Sequence, residues 1–289
     1  MRRSPHEWTV GPRRRGRGPL PGFGPALGFT LAYLGLVVLV PLAVLVLRAA
    51  RFGAHELIAA VTTPRALAAF GLSFGASLAA AAIDGLVGTL IAWVLARYRF
   101  PGRALLDALV DLPFALPTAV AGIALAALYS ASGLLGRHLE PLGLQVAFAR
   151  PGVVLALAFI GLPFVVRTVQ PVVGELDAAM EEAAATLGAG RSLILRRVVV
   201  PQLLPAILTG AGLAFARGVG EYGSIIFISG NLPNRTEIAP LLIVTKLEQY
   251  DYAGAMAIAL VMLLAALALL LLANALQRWT LRRAGEELL

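Results

Sequence analysis

The chain has 289 residues, 59% of them hydrophobic and 14% charged, and its mean hydropathy of +0.83 excludes an ordinary soluble globular domain and points to an integral membrane protein. The formal charge of +8 does not point to nucleic acid, because the basic residues are spread among segments flanking apolar runs instead of lying on one polar face. No cysteine occurs, which excludes disulfides and thiolate metal sites and leaves helix packing to hold the fold.

The first 25 residues interleave Arg2, Arg3, Arg13, Arg14, Arg15 and Arg17 with glycine and proline, the composition of a disordered basic tail lying in the cytoplasm beside anionic lipid. Residues 27–47 follow without a charge. At about 1.5 Å per residue they suffice to cross a hydrocarbon core of about 30 Å, and they exceed a signal-peptide apolar region with no small-residue cleavage site after them. They read as a retained span. Further spans are expected near residues 66–96, 112–129, 152–173, 203–228 and 254–276, giving an all-α protein with six transmembrane helices over residues 26–278 and a short cytoplasmic tail at 279–289. An inside N-terminus places the tail arginines, Arg97, Arg99, Arg103, Arg167, Arg191, Arg196, Arg197, Arg278, Arg282 and Arg283 in the cytoplasm. Fewer basic residues then fall outside, among them Arg48, Arg65, Arg150 and Lys246, so charge asymmetry favours both termini inside.

Within the spans, the small residues of "GLSFGASLAAAAIDG" permit close helix approach, and Pro113 and Pro117 predict a kink at the entry of the third span. Three ionisable residues fall at membrane depth. Arg217 and Glu221 are spaced i, i+4 and can neutralise one another as a structural pair, and Asp84 is expected to cap or hydrogen-bond a neighbouring helix; a substrate contact or an ion relay is the alternative use of all three. Catalytic chemistry finds no support: His6, His55 and His138 are scattered, and the only lysine, Lys246, follows Thr245, so no G-x-x-x-x-G-K-[ST] phosphate loop exists. If ATP drives this protein, another chain must bind it.

Residues 174–201 are too polar for hydrocarbon and too short for a domain. "GELDAAMEEAAATLG" predicts a short helix with acidic residues toward its start and Gly188 as a left-handed C-terminal cap, then a tight turn and a second helix from about Ser192. Here Glu182, Ala183, Ala184 and Gly188, followed by "VVVP" ending at Pro201, resemble the EAA motif of bacterial binding-protein-dependent ABC importers, with Val198 and Val200 in place of the commoner isoleucine and leucine. A further stretch, "LPFALPTAVAGIALAALY", resembles the third-span signature of the sulfate and molybdate permeases. "RGVGEYGSIIFISGNLP" and "TEIAPLLIVTKLEQYDYAGAMAIA" look most like the T-type subunit of the sulfate/thiosulfate permease; the long basic tail departs from that pattern.

The resemblance implies the type I ABC importer permease fold in a bacterial inner membrane. It also implies a second permease subunit of W type, two ATPase subunits that carry ATP and Mg, and a periplasmic sulfate/thiosulfate-binding protein, with no cofactor on this chain. Glu182, Ala183, Ala184, Gly188 and Pro201 would couple to the ATPase, and Arg217, Glu221 and Tyr222 would serve translocation or gating. Residues 229–253 place Ile238, Leu241, Leu242 and Leu247 at helical spacing, predicting a helix on the outer membrane surface with Tyr250 and Tyr252 as anchors. Lys246 and Glu248 on its polar side would meet the binding protein. A molybdate or tungstate permease is the nearest alternative; an ion-coupled secondary transporter and a membrane enzyme are more distant ones.

Overall fold

The computed structural model describes residues 23–286, with side chains in the last helix only as far as position 272 and Leu270 excepted, so most of the expected basic tail lies outside the described residues. The chain divides into two compact units, one ending at Arg48 and one beginning at Ala49. The first holds all but the last residue of Phe23–Ala49 (α1), a single apolar helix with one π-helical turn at Gly35–Leu39. Its 27 residues rise about 40 Å, which spans a bilayer core with room to tilt.

The second unit contains α2 (Ala54–Val61), α3 (Pro64–Arg97), α4 (Arg103–Val110), α5 (Leu112–Ala115), α6 (Thr118–Tyr129) and α7 (Arg150–Glu175). There follow α8 (Ala178–Thr186), α9 (Arg191–Val219), α10 (Ile225–Ile228), α11 (Ala239–Glu248) and α12 (Tyr252–Glu286). Among the described residues every regular element is helical. The start of α3 is fixed locally: Pro64 supplies a first-turn φ without a wasted N–H, and the Thr63 hydroxyl accepts from Ala66 N.

The core is the α3, α7, α9 triple. On α3 the inward residues are Ala69, Ser73, Ala76, Ala80, Asp84 and Gly88, spaced three or four apart, whereas Leu67, Leu78, Leu86 and Leu90 point outward. With lipid on the outside there is no hydrophobic reward for turning large residues inward, so small ones take the inside, where they let backbones approach. Val165, Val166, Val169 and Val173 of α7 fill the middle against Ala92, Leu95 and Leu203. A Cβ on Gly210 of α9 would come within 2.8 Å of Val165 Cα, so that crossing depends on a bare glycine.

Two expected spans differ from prediction. Residues 112–129 are not one continuous helix: α5 ends at Ala115, Leu116 is extended at ψ 136°, and α6 restarts at Thr118 with 12 residues. Pro117 is the cause, since its ring excludes the α conformation from the residue before it, and the resulting α6 of about 18 Å is too short to cross alone. Residues 203–228 are likewise interrupted, because the helix begins earlier, at Arg191, and stops at Val219, with non-helical backbone at 220–224 before α10. Five helices are therefore long and apolar enough to span among the described residues. The two interruptions meet: α6 packs on α10, Gly122 lies against the backbone of Ser224, and Gly223 lies against the Thr118 hydroxyl. Irregular backbone at membrane depth persists only where protein covers it or it lines a cavity.

Candidate coupling and translocation sites

The EAA-like residues occupy an exposed helix-turn. Asp177 Oδ1 accepts from Ala179 N at 2.9 Å, capping α8, and Glu181 in its first turn complements the helix dipole. At the other end Gly188 takes φ +84°; Gly188 N donates to Ala185 O at 2.9 Å and Ala189 N to Ala184 O at 3.1 Å, the paired bonds of a Schellman cap. Glu182, Ala183 and Gly188 are exposed, Ala184 is half-buried, Leu187 at the tip is 88% exposed, and Met180 is also uncovered. Pro201 is not part of this knob but lies two residues into the α-helical part of α9, just after a π-helical stretch at Leu195–Val199. The sequence did not show what holds the knob. Arg97, the last residue of α3, bonds Glu181 at 2.6 Å while its guanidinium lies over the Trp93 ring, 5.1 Å from the centroid.

There is a second ionic cluster. Arg167 of α7 donates to both carboxylate oxygens of Asp111 (2.6 and 2.8 Å), to Asp107 (2.7 Å) and to Gln170 (2.7 Å), tying α4 to α7. The hydrogen bond from Arg167 holds the Asp107 carboxyl below the ordinary aspartate range. The i, i+4 spacing of Asp107 and Asp111 was a legible sign of a shared face, but their partner was not.

Where α9 is interrupted, Arg217 and Glu221 form an ion pair at 2.6 Å. Glu221 is only 2% exposed, and its second oxygen accepts from Ser224 N (2.9 Å) and Ser224 Oγ (3.1 Å), so one buried carboxylate both neutralises the arginine and fixes the turn at 221–224. Tyr222 is half-buried against the cluster of Ala76, Ala80, Val153 and Leu157. Asp84 differs from expectation. It is 2% exposed, and among the described residues no group hydrogen-bonds its Oδ2; it neither caps nor bonds a neighbouring helix.

The outer segment also differs. Ile238, Leu241 and Leu242 are buried, with α11 packed on α3 and α12, so this helix is built into the bundle and does not lie flat on a surface; only Leu247 of the predicted apolar face is exposed. Ala239 N donates to Ser73 Oγ at 2.8 Å, and the buried Glu237 takes two 2.7 Å bonds from Arg65, a clamp the sequence did not reveal across 172 residues. Lys246 is engaged with Asp251 at 2.7 Å, and Asp251 also accepts from Gly254 N at 2.8 Å, turning the chain into α12. Glu248 is exposed.

The family described as binding-protein-dependent transport system inner membrane component matches residues 85–286, a stretch that includes the α8 helix-turn, the interrupted α9 and α12. The chain belongs to that family. It is a multi-pass membrane component of an ABC transport system, a permease and not the ATPase. Similar curated proteins are named sulfate transport system permease protein CysT. The one from Synechococcus elongatus is 52% identical over 89% of this chain and 92% of its own length, and the one from Escherichia coli is 46% identical over 89% and 93%. A probable cysT permease of Nephroselmis olivacea is 49% identical over 87% and 89%. Among solved structures, a bacterial ABC transporter involved in import of the acidic polysaccharide alginate superposes with a TM-score of 0.72 at 16% identity, covering 88% of this chain and 94% of that one. An amino acid ABC transporter chain gives 0.52 at 20% identity, covering 74% and 94%. These distant structures support an ABC permease fold over 74 to 88% of this chain.

Proposed function

We infer that this chain is the T-type permease subunit of an ATP-driven importer of sulfate, and of thiosulfate by the same path. Five long helices and the interrupted stretch 112–129, which together make six crossings, traverse a bacterial inner membrane with both termini in the cytoplasm. A W-type permease subunit completes the anion path, two ATPase subunits hold ATP and Mg, and a periplasmic sulfate-binding protein delivers the anion. The observation that carries this reading is the α8 helix-turn: capped at both ends, anchored by Arg97, and presenting Glu182, Ala183 and an uncovered Leu187 tip that nothing in the described chain covers. Apolar side chains on a short capped helix outside the bundle suit a cleft on a soluble partner, and the 46–52% identity to named sulfate permeases supports the cargo.

Mechanically, closure of the ATPase pair would move α8, which continues from α7 and leads into α9, so that docking energy reaches two of the three core helices directly. Arg217, Glu221 and Tyr222 sit where α9 gives way to irregular backbone against α6, and this junction serves as the gate. An arginine whose charge is balanced by a buried glutamate can attract a dianion without trapping it, whereas an isolated arginine at that depth would hold it too long. The test is uptake of labelled sulfate by vesicles containing this chain with its W-type, ATPase and binding-protein partners, with thiosulfate, molybdate and tungstate as competitors. ATP-dependent sulfate uptake blocked by excess thiosulfate supports the reading. Competition by molybdate alone, or uptake driven by an ion gradient without ATP, refutes it.

A further inference from the structure

We propose that Arg97 is the positioning residue of the α8 helix-turn: it holds α8 here by one half of an arginine–carboxylate fork, and the other half closes when an ATPase partner presses α8 toward α3. Arg97 Nη2 donates to Glu181 Oε1 at 2.6 Å, the one ion pair that α8 makes among the described residues. The Arg97 Nε is enclosed by protein and bonds no described group, and Glu181 Oε2 accepts from none. The donor and the acceptor left over thus belong to the same two side chains. The completed arrangement exists elsewhere in this molecule: Arg65 gives Nε to Glu237 Oε2 and Nη2 to Oε1, both at 2.7 Å, and Arg167 gives Nε and Nη2 to the two oxygens of Asp111 at 2.8 and 2.6 Å. Two parallel bonds of that kind fix an arginine in direction as well as distance.

What keeps the fork half open is the placing of α8. The Arg97 guanidinium lies over the ring of Trp93, one turn back on α3 and 5.1 Å from its centroid, so the arginine is held from beneath and the carboxylate has to come to it. The joints of α8 allow this. Leu176 and Asp177 are extended, at ψ 124° and 116°, between the end of α7 and the start of α8, and on the other side Gly188 at φ +84° and Gly190 at ψ 159° separate α8 from α9. A helix hung between two non-helical joints pivots without unwinding its neighbours. An enclosed N–H without an acceptor is costly to keep, so a pivot that brings Glu181 Oε2 onto Arg97 Nε is favoured once it begins, and α3, which carries Arg97 at its end, is then drawn along with α8. The two positions differ by a bond and not by a charge, because the ion pair persists in both. That an ATPase does the pressing rests on the permease reading above; the unfinished fork does not.

The chain has no cysteine, so Arg99→Cys just past the end of α3 and Ala185→Cys on α8, both at exposed positions, can carry a pair of spin labels in the importer assembled with cysteine-free partners. We expect the distance between the labels to shorten by a few ångströms when ATP and vanadate trap the ATPase pair closed. This measurement leaves Arg97 and Glu181 in place, and an unchanged distance overturns the proposal. Arg97→Lys then separates a fork from a single bond, because lysine keeps the charge and one bond to Glu181 Oε1 but lacks the paired donors. It should keep the parent's resting distance and melting temperature, while the trapped fraction and the sulfate carried per ATP each fall by about threefold or more. Both readouts at the parent's value would show that one bond suffices and overturn the fork. A resting distance that shifts or broadens in Arg97→Lys would make the pair a fixed anchor and overturn it equally. If the parent itself shows no ATP-driven sulfate uptake, the permease reading falls and the fork's role with it, an outcome distinct from a coupled parent with an unaffected lysine variant.

Discussion

Gly122→Ala tests whether the meeting of the two interrupted helices is a fitted contact. The added Cβ would fall inside contact distance of Ser224 O and at 2.7 Å from Ser224 Cα, where carbon atoms rest at about 3.5 to 4 Å, so α6 and the 221–228 segment must part by roughly 1 Å. Overpacking against backbone costs about 1 to 3 kcal/mol, toward the upper end for so close an approach, and replacing glycine by alanine in a helix returns about 1 kcal/mol, leaving a net loss of up to about 2 kcal/mol. For a chain of this size that lowers an apparent melting temperature by up to roughly 8 °C. Gly71→Ala is the control, because nothing lies within 4 Å of its Cβ position and only the helix-propensity gain remains. The assay is thermal unfolding of both variants in one detergent, with sulfate uptake measured beside it. Gly122→Ala melting at or above Gly71→Ala would refute the close approach of α6 to Ser224, and with it the placing of the gate there.

Three other outcomes are expected. Glu182→Lys and Gly188→Pro should leave the chain inserted but reduce sulfate uptake per ATP hydrolysed at least tenfold, since the first reverses a charge on the docking face and the second removes the Gly188 N–H and forbids its φ of +84°; normal coupling ratios in both would reassign α8. Arg97→Glu and Glu181→Arg should each lower that ratio several-fold and the double exchange should restore most of it, and failure of the exchange to rescue would mean that the pair only decorates the surface. Lys246 and the Gly254 N–H both hold the Asp251 carboxyl below its ordinary value near ~3.9, so its contribution is complete above that pH and disappears as pH falls through the lowered value. Lys246→Gln should therefore raise the Asp251 titration midpoint seen by NMR and weaken activation by the binding protein, and Asp251→Asn should weaken that activation likewise; an unmoved midpoint in Lys246→Gln would break the pairing.

What the sequence revealed was what neighbouring residues decide among themselves. Residues 27–47 and 254–276 are apolar without interruption, so their helices follow from composition, and Gly188 after an alanine-rich run carries its own cap. The interruptions at Leu116 and Gly220 were hidden because hydropathy averages over a proline or a glycine without registering that the backbone turns there. The proline pair was visible, and its effect was underestimated: a break, not a kink. The surface helix expected at 238–247 failed for a different reason, since an apolar stripe facing lipid and one facing α3 have the same periodicity. Glu237 with Arg65, Arg97 with Glu181, and Arg167 with Asp107 and Asp111 join residues far apart in the chain, and no local pattern names such partners.

The interruption at Leu116 also sets an order of events during synthesis. The 12-residue α6 cannot cover its own turn, and its cover is the backbone around Ser224, about 100 residues downstream. At roughly 5 to 20 residues per second the ribosome needs about 5 to 20 s to deliver that partner. On the six-crossing reading proposed above, the nascent chain would hold an unfinished crossing with free amides for that interval, and residues 112–129 would need shelter until α9 and α10 emerge. A stall placed between codons 130 and 220 should then leave residues 112–129 open to protease until their cover is made.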